Sequence, residues 1–485
     1  MKYYIVQLGC QMNISDGERV RKVLDEMGFE PTDYEEEAGL LGVIACSVRQ
    51  KAIDKVYSRI QKWNRWKNKK NLITFVTGCV LPADREKFLK RFDLVFAMNE
   101  LPDLPEMIHQ YGIVTPAGLQ SLDKGLQDIE LPEKESRNEA AFRMDKAVLP
   151  GHEEKLSHPE KGIGEFWHIT PKYSSGWEAF IPIQNGCNKF CTYCAVPYTR
   201  GREVSRPSGE IMRELKDLVE KGYKSITLLG QNVNSYGLDK KGEEVSFAGL
   251  LRMIGEFGDN HREKFWVYFT SPHPRDMTDE VIKVIARYSC LAKQIHLPIQ
   301  SGDDAMLIRM NRKHTVEKYR HIVQTIRRLL PEATLFTDII VGFTGETEEQ
   351  IENTRKAMEE FKYNMAYIAQ YSPRPGAVSS RWADDIPKAV KKARYHLLTE
   401  ELMKHSLAYN KSLIGKTMTV LVRGKDRKSG YLSALTEGKI IVRFGSEDEN
   451  LIGRFVKIKI HSAAPFSMEG ELVSKEIEHP VNAEI

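Results

Sequence analysis

The chain has 485 residues, with 71 Lys and Arg against 67 Asp and Glu and a formal net charge of +4. That length exceeds one ordinary hydrophobic core and predicts two to four domains. With 28% charged and 41% hydrophobic residues and no apolar run of membrane-spanning length, the composition reads as soluble and globular and excludes a helical membrane protein.

Met1–Cys10 enters a strand-like pattern at once, without the apolar core or cleavage site of a signal peptide. The expected compartment is therefore reducing cytoplasm, where cysteines serve as metal ligands or catalytic groups more often than in disulfides. Across residues 1–111, short apolar runs at Lys2–Leu8, Leu40–Ala45, Leu72–Thr77 and Leu94–Met98 predict buried strands. Amphipathic stretches at Asp16–Gly28, Val48–Lys67 and Pro82–Arg91 predict helices between them. Such alternation implies a parallel sheet covered by helices. Cys10, Cys46 and Cys79 each follow one of the first three strands. Carboxyl ends of parallel strands share one edge, so these cysteines are expected to converge on a three-thiolate site. The alternative is three buried cysteines acting as small apolar side chains.

Residues 112–175 lose periodicity, and Gly118–His158, rich in Glu, Lys, Pro and Gly, predicts a linker or surface excursion. Alternation resumes over 176–410. Strands are expected at Ala179–Gln184, Ser225–Gly230, Phe265–Thr270, Gln294–Pro298, Leu335–Val341 and Asn364–Gln370, and most are separated by helices. About six parallel units suggest a (β/α) barrel or partial TIM barrel with its site at the strand carboxyl ends. Residues 411–475 switch to short strands, Thr417–Val422, Tyr431–Leu435, Ile440–Phe444 and Phe455–Ile460, joined by Gly-containing turns. These predict a small antiparallel β-barrel of a kind that often binds oligonucleotides. Residues 476–485 form a tail. The fold class is thus α/β with an antiparallel barrel appended.

The most informative segment is Cys187, Cys191 and Cys194, spaced C-x3-C-x2-C just after the first strand of the central region. Three thiolates can hold three irons of a [4Fe–4S] cluster and leave the fourth open to a small molecule. A structural zinc site would need a fourth Cys or His, and none lies nearby in the sequence. Tyr193 is placed to press against a bound cofactor. Gln231, Ser271 and Gln300 end three later strands and are candidate small-molecule ligands. His273, His296 and Cys290 are read as structural. Three segments are locally basic: 51–70 with eight Lys/Arg around Trp63 and Trp66, 309–328 with seven, and 411–428 with six. Basic charge interleaved with aromatics beside a terminal barrel favours RNA, although each segment alone reads as a solvated face.

Gly9-Cys-Gln-Met-Asn13, Cys46-Ser-Val-Arg49 and Gly78-Cys79 resemble the three auxiliary-cluster segments of the radical S-adenosylmethionine methylthiotransferases. The run Gly186–Gly201, with Ser205-Arg-Pro207, Leu297–Gly302, Thr337–Phe343 and Tyr371–Gly376, is similar to that family's central domain, and the terminal barrel resembles its RNA-binding TRAM module. The resemblance covers nearly the whole chain outside 112–175. Gln11-Met-Asn13, Ser47-Val-Arg49, Gln231–Asn234 and the Pro-Tyr-Thr-Arg-Gly run at 197–201 look most like the branch acting on isopentenyladenosine in tRNA. Two departures stand out: Ile44-Ala45 replaces the usual Asn-Thr, and Val80-Leu-Pro82 replaces small residues and Gln.

The resemblance implies two [4Fe–4S] clusters, one on Cys187, Cys191 and Cys194 and one on Cys10, Cys46 and Cys79, with S-adenosyl-L-methionine on the first. It implies addition of a methylthio group to C2 of the modified adenine. It also implies tRNA as partner, a reducing donor of flavodoxin or ferredoxin type, a sulfur source, no membrane association and a monomer. Threonylcarbamoyladenosine and a ribosomal-protein aspartate are the alternative substrates. A non-catalytic RNA-binding iron–sulfur redox protein is the alternative of another class.

Overall fold

The computed structural model describes residues 1–47, 50–110, 155 and 158–475. Val48 and Arg49, nearly all of the expected excursion Gly118–His158, and the tail 476–485 lie outside them. Chain contacts divide the protein into two compact units. The first holds 1–174, 185–188 and 195–204, and the second holds 175–184, 189–194 and 205–485.

In the first unit, strands β1 (Lys2–Gln7), β2 (Glu30–Pro31), β3 (Leu40–Cys46), β4 (Ile73–Cys79) and β5 (Leu94–Val95) form a parallel sheet in the order β2-β1-β3-β4-β5. Helices α1 (Gln11–Glu26), α2 (Gln50–Lys67), α3 (Pro82–Leu89) and α4 (Leu104–His109) alternate with the strands. Every residue of β3 is buried, because helices cover both faces and the strand therefore reads as one apolar run. Leu40 and Ile44 join one core with Val20, Val23 and Leu24 of α1. Leu41, Val43 and Ala45 join the other with Val56, Ile60 and Trp63 of α2. One segment differs from the sequence expectation. Part of 112–175 is built into this unit, since helix α5 (Ile163–His168) places Ile163, Phe166 and Trp167 in the first core. Three apolar residues in a single short turn are too few to register as periodicity.

Strand β6 (Glu178–Pro182) opens the second unit; the chain then passes through the two-residue strand β7 (Gln184–Asn185), helix α6 (Val196–Arg200), which belongs to the first unit, and strand β8 (Val204–Ser205), the partner of β7. Strands β9 (Ser225–Leu229) and β10 (Trp266–Phe269) continue the parallel sheet from β6. A second parallel sheet holds β11 (Gln294–His296), β12 (Thr334–Val341) and β13 (Met365–Gln370), and the bridge Val267–Leu291 joins the two. The result is a six-stranded partial barrel. Its helices are α7 (Ser208–Glu220), α8 (Phe247–Asp259), α9 (Asp279–Arg287), α10 (Asp304–Arg309), α11 (Val316–Leu329) and α12 (Glu348–Phe361).

Helix α13 (Lys388–Lys411) leads into a closed barrel of β14 (Thr417–Lys425), β15 (Tyr431–Thr436), β16 (Ile441–Gly445), β17 (Phe455–Ala464) and β18 (Ser467–Lys475), ordered β14-β15-β16-β18-β17. Strand β18 escapes the sequence reading because Gly470 interrupts its apolar alternation. A Cβ at Gly470 would meet Ile458 Cγ2 at 2.5 Å, so the barrel needs a glycine there. This barrel packs on the partial barrel within the same unit. Phe455 meets Trp266 with ring centroids 4.6 Å apart, and Leu421, Tyr268, Ala292 and Trp177 complete the apolar contact. No helix among the described residues is long and apolar enough to cross a membrane.

Candidate functional site

The order β2-β1-β3-β4-β5 reverses direction between β1 and β3, and open α/β sheets bind ligands outside the carboxyl ends at such a switch point. Cys10 follows β1 and is the N-cap of α1, while Cys46 and Cys79 end β3 and β4 as directly paired residues of the ladder. A Cβ at Gly9 would lie 2.8 Å from Cys46 Cβ, which places the Cys10 turn against the second cysteine. The topology thus gathers the three expected thiols. Burial pushes the Cys79 thiol up to about 12. The Arg200 guanidinium opposes that rise, and neighbouring Cys46 and Cys10 add to it. The Cys46 loop is fixed by Ser47 N donating to Cys79 O (2.7 Å) and by Ser47 Oγ accepting from Leu81 N (3.2 Å). The two departures from the family pattern have structural places. Ile44 fills a core, Ala45 O accepts from Asn13 Nδ2 (2.6 Å), and Pro82 starts α3.

Arg200 of α6 also belongs to this unit. Its Nε donates to Cys79 Sγ at 3.0 Å, and its Nη atoms pair with Asp16 of α1. Sequence reasoning passed over both residues, although Arg200 stands in the Pro-Tyr-Thr-Arg-Gly run. Cys187 lies here as well, its N donating to Gly201 O (3.2 Å) after Gly186 at φ +78°. A Cβ on Gly186 would fall 2.0 Å from Arg202 O.

Cys191 and Cys194 lie in the second unit, joined by a turn in which Cys194 N donates to Cys191 O (2.9 Å). Phe190 before them has φ +50°, and Asn311 Nδ2 caps its carbonyl at 2.9 Å. Buried Arg312 points Nη1 at Cys191 Sγ (3.6 Å) and at Tyr193 Oη (3.5 Å), while Nη2 donates to Pro298 O (2.7 Å). Tyr193 packs edge-on to Phe343 and against the Met306, Met310 and Tyr371 cluster, so its ring is part of the core of this unit.

Ser271 and Gln300 both adopt left-handed backbone, at φ +58° and +74°, in the segments that follow β10 and β11. Such non-glycine conformations cost about 1–3 kcal/mol and cluster at ligand sites. Gln300 is locked there by donating to Asp338 O (2.9 Å) and accepting from Ile340 N (3.0 Å). Gln231 follows β9 and is half-buried. His273 accepts from Arg275 N and is held neutral by burial and by Arg312, in line with the structural reading. His296 pairs with Asp338 (2.7 Å).

The donor sets suit the groups they are expected to hold. All seven cysteines lie outside disulfides. Among the described residues no three Cys, His, Asp or Glu side chains close around a single ion. A cubane differs in spreading three thiolates over three separate irons. Among the described residues, buried Gln184 Oε1, Asn232 Oδ1, His273 Nε2 and Arg312 Nε have no hydrogen-bond partner, which suits a small polar ligand at the strand ends.

The basic segments divide. Along 309–328, Arg312 is buried, Arg309 stacks on Trp382 (5.0 Å) and Arg320 pairs with Glu317 and Glu360, so this segment is largely engaged inside its own unit. On α2, Trp63 is fully buried beside Glu35, and Trp66 is stacked by Lys62 and by Lys70, which lies just past the helix. The terminal barrel exposes Lys416, Arg423, Lys457 and Lys459 on and beside the paired strands β14 and β17.

The Radical SAM superfamily matches residues 181–358, the TRAM domain matches 411–473, and Uncharacterized protein family UPF0004 matches 2–98. The chain is 37% identical over 478 residues to a tRNA-2-methylthio-N(6)-dimethylallyladenosine synthase of Clostridium perfringens, covering 97% of each. It is 36% identical to the protein of that name from Carboxydothermus hydrogenoformans, covering 97% of this chain and 99% of the other. A solved radical S-adenosylmethionine methyltransferase, TsrM from Kitasatospora setae, shares the fold at TM-score 0.50 and 14% identity, over 88% of this chain and 79% of that one.

Proposed function

We propose, because this chain belongs to the family of tRNA-2-methylthio-N(6)-dimethylallyladenosine synthases, that it adds a methylthio group to C2 of N6-isopentenyladenosine beside the tRNA anticodon. The observation that carries this reading is the Cys46–Cys79 register with Cys10 at the end of the adjacent strand. It supports a second three-thiol site besides the C-x3-C-x2-C segment. When bound, the [4Fe–4S] cluster on Cys187, Cys191 and Cys194 supplies reductive cleavage of S-adenosyl-L-methionine, and the one on Cys10, Cys46 and Cys79 supplies methylthio delivery.

The chain's own residues do the positioning. Gly186 lets the backbone turn so that Cys187 is tethered to Gly201. Arg312 offsets thiolate charge at Cys191 and is itself pinned by Pro298 O. Gln231, Ser271 and Gln300 line the strand ends as contacts for the methionine and nucleoside parts of the cofactor, and Tyr193 braces the cysteine turn. His273 and His314 stay neutral, so neither adds charge next to Arg312. Exposed lysines on β17 hold the tRNA backbone, which makes binding salt-dependent.

The division of labour we propose is 1–111 for the auxiliary cluster, 176–410 for radical chemistry and 411–475 for RNA, in a monomer of the cytoplasm. A flavodoxin- or ferredoxin-type donor supplies electrons, and a separate sulfur source restores the auxiliary site. Mass spectrometry of tRNA nucleosides from cells with and without the protein tests the reading. Loss of methylthio-isopentenyladenosine, with isopentenyladenosine accumulating, is expected. Loss of methylthio-threonylcarbamoyladenosine, or unchanged tRNA, would refute it.

A further inference from the structure

Arg200 is nearly inaccessible to solvent, as is Asp16, and the two form a closed ion pair at the carboxyl edge of the first sheet. A buried guanidinium is costly unless its donors are used. Here Nη1 and Nη2 serve Asp16, with Nη1 also 3.5 Å from Asn185 Oδ1, and Asn185 Nδ2 returns a bond to Arg200 O (2.8 Å). These contacts fix the plane of the fork. They leave Nε–H aimed at one acceptor, Cys79 Sγ at 3.0 Å. A charge-assisted N–H···S bond of this kind favours the more negative state of its acceptor.

We propose that Arg200, oriented by Asp16, is a positioning residue that sets the reduction potential of the auxiliary cluster through its hydrogen bond to Cys79. The inference rests on the cluster assignment made under the proposed function. Hydrogen bonds to cluster sulfurs and nearby charge are established determinants of iron–sulfur potential. Arg200 favours the reduced cluster, and Asp16 both aims the guanidinium and partly cancels its charge. Arg200→Gln therefore moves the midpoint to more negative potential, and Asp16→Asn moves it to more positive potential. Arg200→Lys, which keeps the charge without the fork, falls between Arg200→Gln and the parent.

The experiment is anaerobic potentiometric titration of full-length protein carrying both clusters, read by electron paramagnetic resonance, with the Cys191→Ala protein run alongside to assign the auxiliary signal. Iron and sulfide are counted on every sample. The expected result is at least a tenfold fall in the reduced-to-oxidised ratio of the auxiliary cluster in Arg200→Gln at fixed potential, about 59 mV for a one-electron couple. Iron content and the radical-site signal should stay unchanged. An unshifted midpoint with full iron overturns the proposal. So does loss of auxiliary iron in Arg200→Gln combined with unshifted midpoints in Arg200→Lys and Asp16→Asn, which makes the residue only structural. A Cys46→Ala protein that retains all its iron refutes instead the cluster assignment beneath the proposal.

Discussion

Gly186 is the position where a single methyl group tests the geometry most sharply. Its φ of +78° lies in the left-handed region, which costs an alanine about 1–2 kcal/mol. The larger effect is steric. An added Cβ would sit 2.0 Å from Arg202 O, 2.5 Å from Arg202 C and 2.7 Å from Gly201 O, all backbone atoms. Relief to an ordinary contact of 3.4 Å opens the strand pair by about 1.4 Å (3.4 minus 2.0). The same opening breaks the Cys187 N to Gly201 O bond and displaces the first radical-site thiol. Misplacement by about 1 Å costs on the order of 100-fold in rate. Gly186→Ala is therefore expected to hold iron less completely at its radical site and to form 5′-deoxyadenosine about 100-fold more slowly. Gly209→Ala is the control. It lies in α7 with nothing within 4 Å of the new methyl, and helix propensity stabilises it by about 1 kcal/mol. Full iron and normal cleavage in Gly186→Ala would refute the steric reasoning.

Cys191→Ala should abolish S-adenosylmethionine cleavage. Cys46→Ala should leave cleavage largely intact and stop methylthiolation, both read by chromatography of 5′-deoxyadenosine and modified tRNA. Phe455→Ala, which empties the contact with Trp266, should destabilise the second unit by about 3–5 kcal/mol, measured as a drop in the denaturant midpoint. Lys457→Glu with Lys459→Glu should weaken tRNA binding and lower its salt slope by roughly one per lost phosphate contact, without altering cofactor cleavage in the absence of RNA. Burial and Arg312 push His314 down to about 4, so from pH 6.5 to 4 the unfolded state binds the proton that the folded state refuses. Stability therefore falls on acidification through that window, by up to about 3 kcal/mol from this group. Glu346, raised to about 6 by burial, works in the opposite direction between its folded value and 4.5. Unfolding midpoints at pH 7 and 5 should differ less in His314→Gln than in the parent.

The auxiliary thiols were legible because buried parallel strands read as plain apolar runs, and Cys10, Cys46 and Cys79 each stand at the end of one. Charge was much less legible. Arg200, Asp16 and Arg312 look like surface residues in a sequence, since nothing local names the distant group that neutralises a buried ion. For the same reason 309–328 read as a basic surface, although Arg312 is buried, Arg309 stacks on Trp382 and Arg320 is held in ion pairs. Trp63 looked available for stacking on RNA, but its spacing with Val56 and Ile60 is that of a core face. Strand β2 has only two residues, both exposed, and carries no apolar signal. The left-handed backbone at Ser271 and Gln300 was invisible as conformation, yet their strand-end placement had already singled them out.

Iron counting tests the central claim most directly. Anaerobically reconstituted protein should hold two four-iron clusters. Replacing Cys10, Cys46 and Cys79 together should remove one and leave the other, and replacing Cys187, Cys191 and Cys194 should do the converse. One cluster per chain, or loss of both from either triple replacement, would contradict the account.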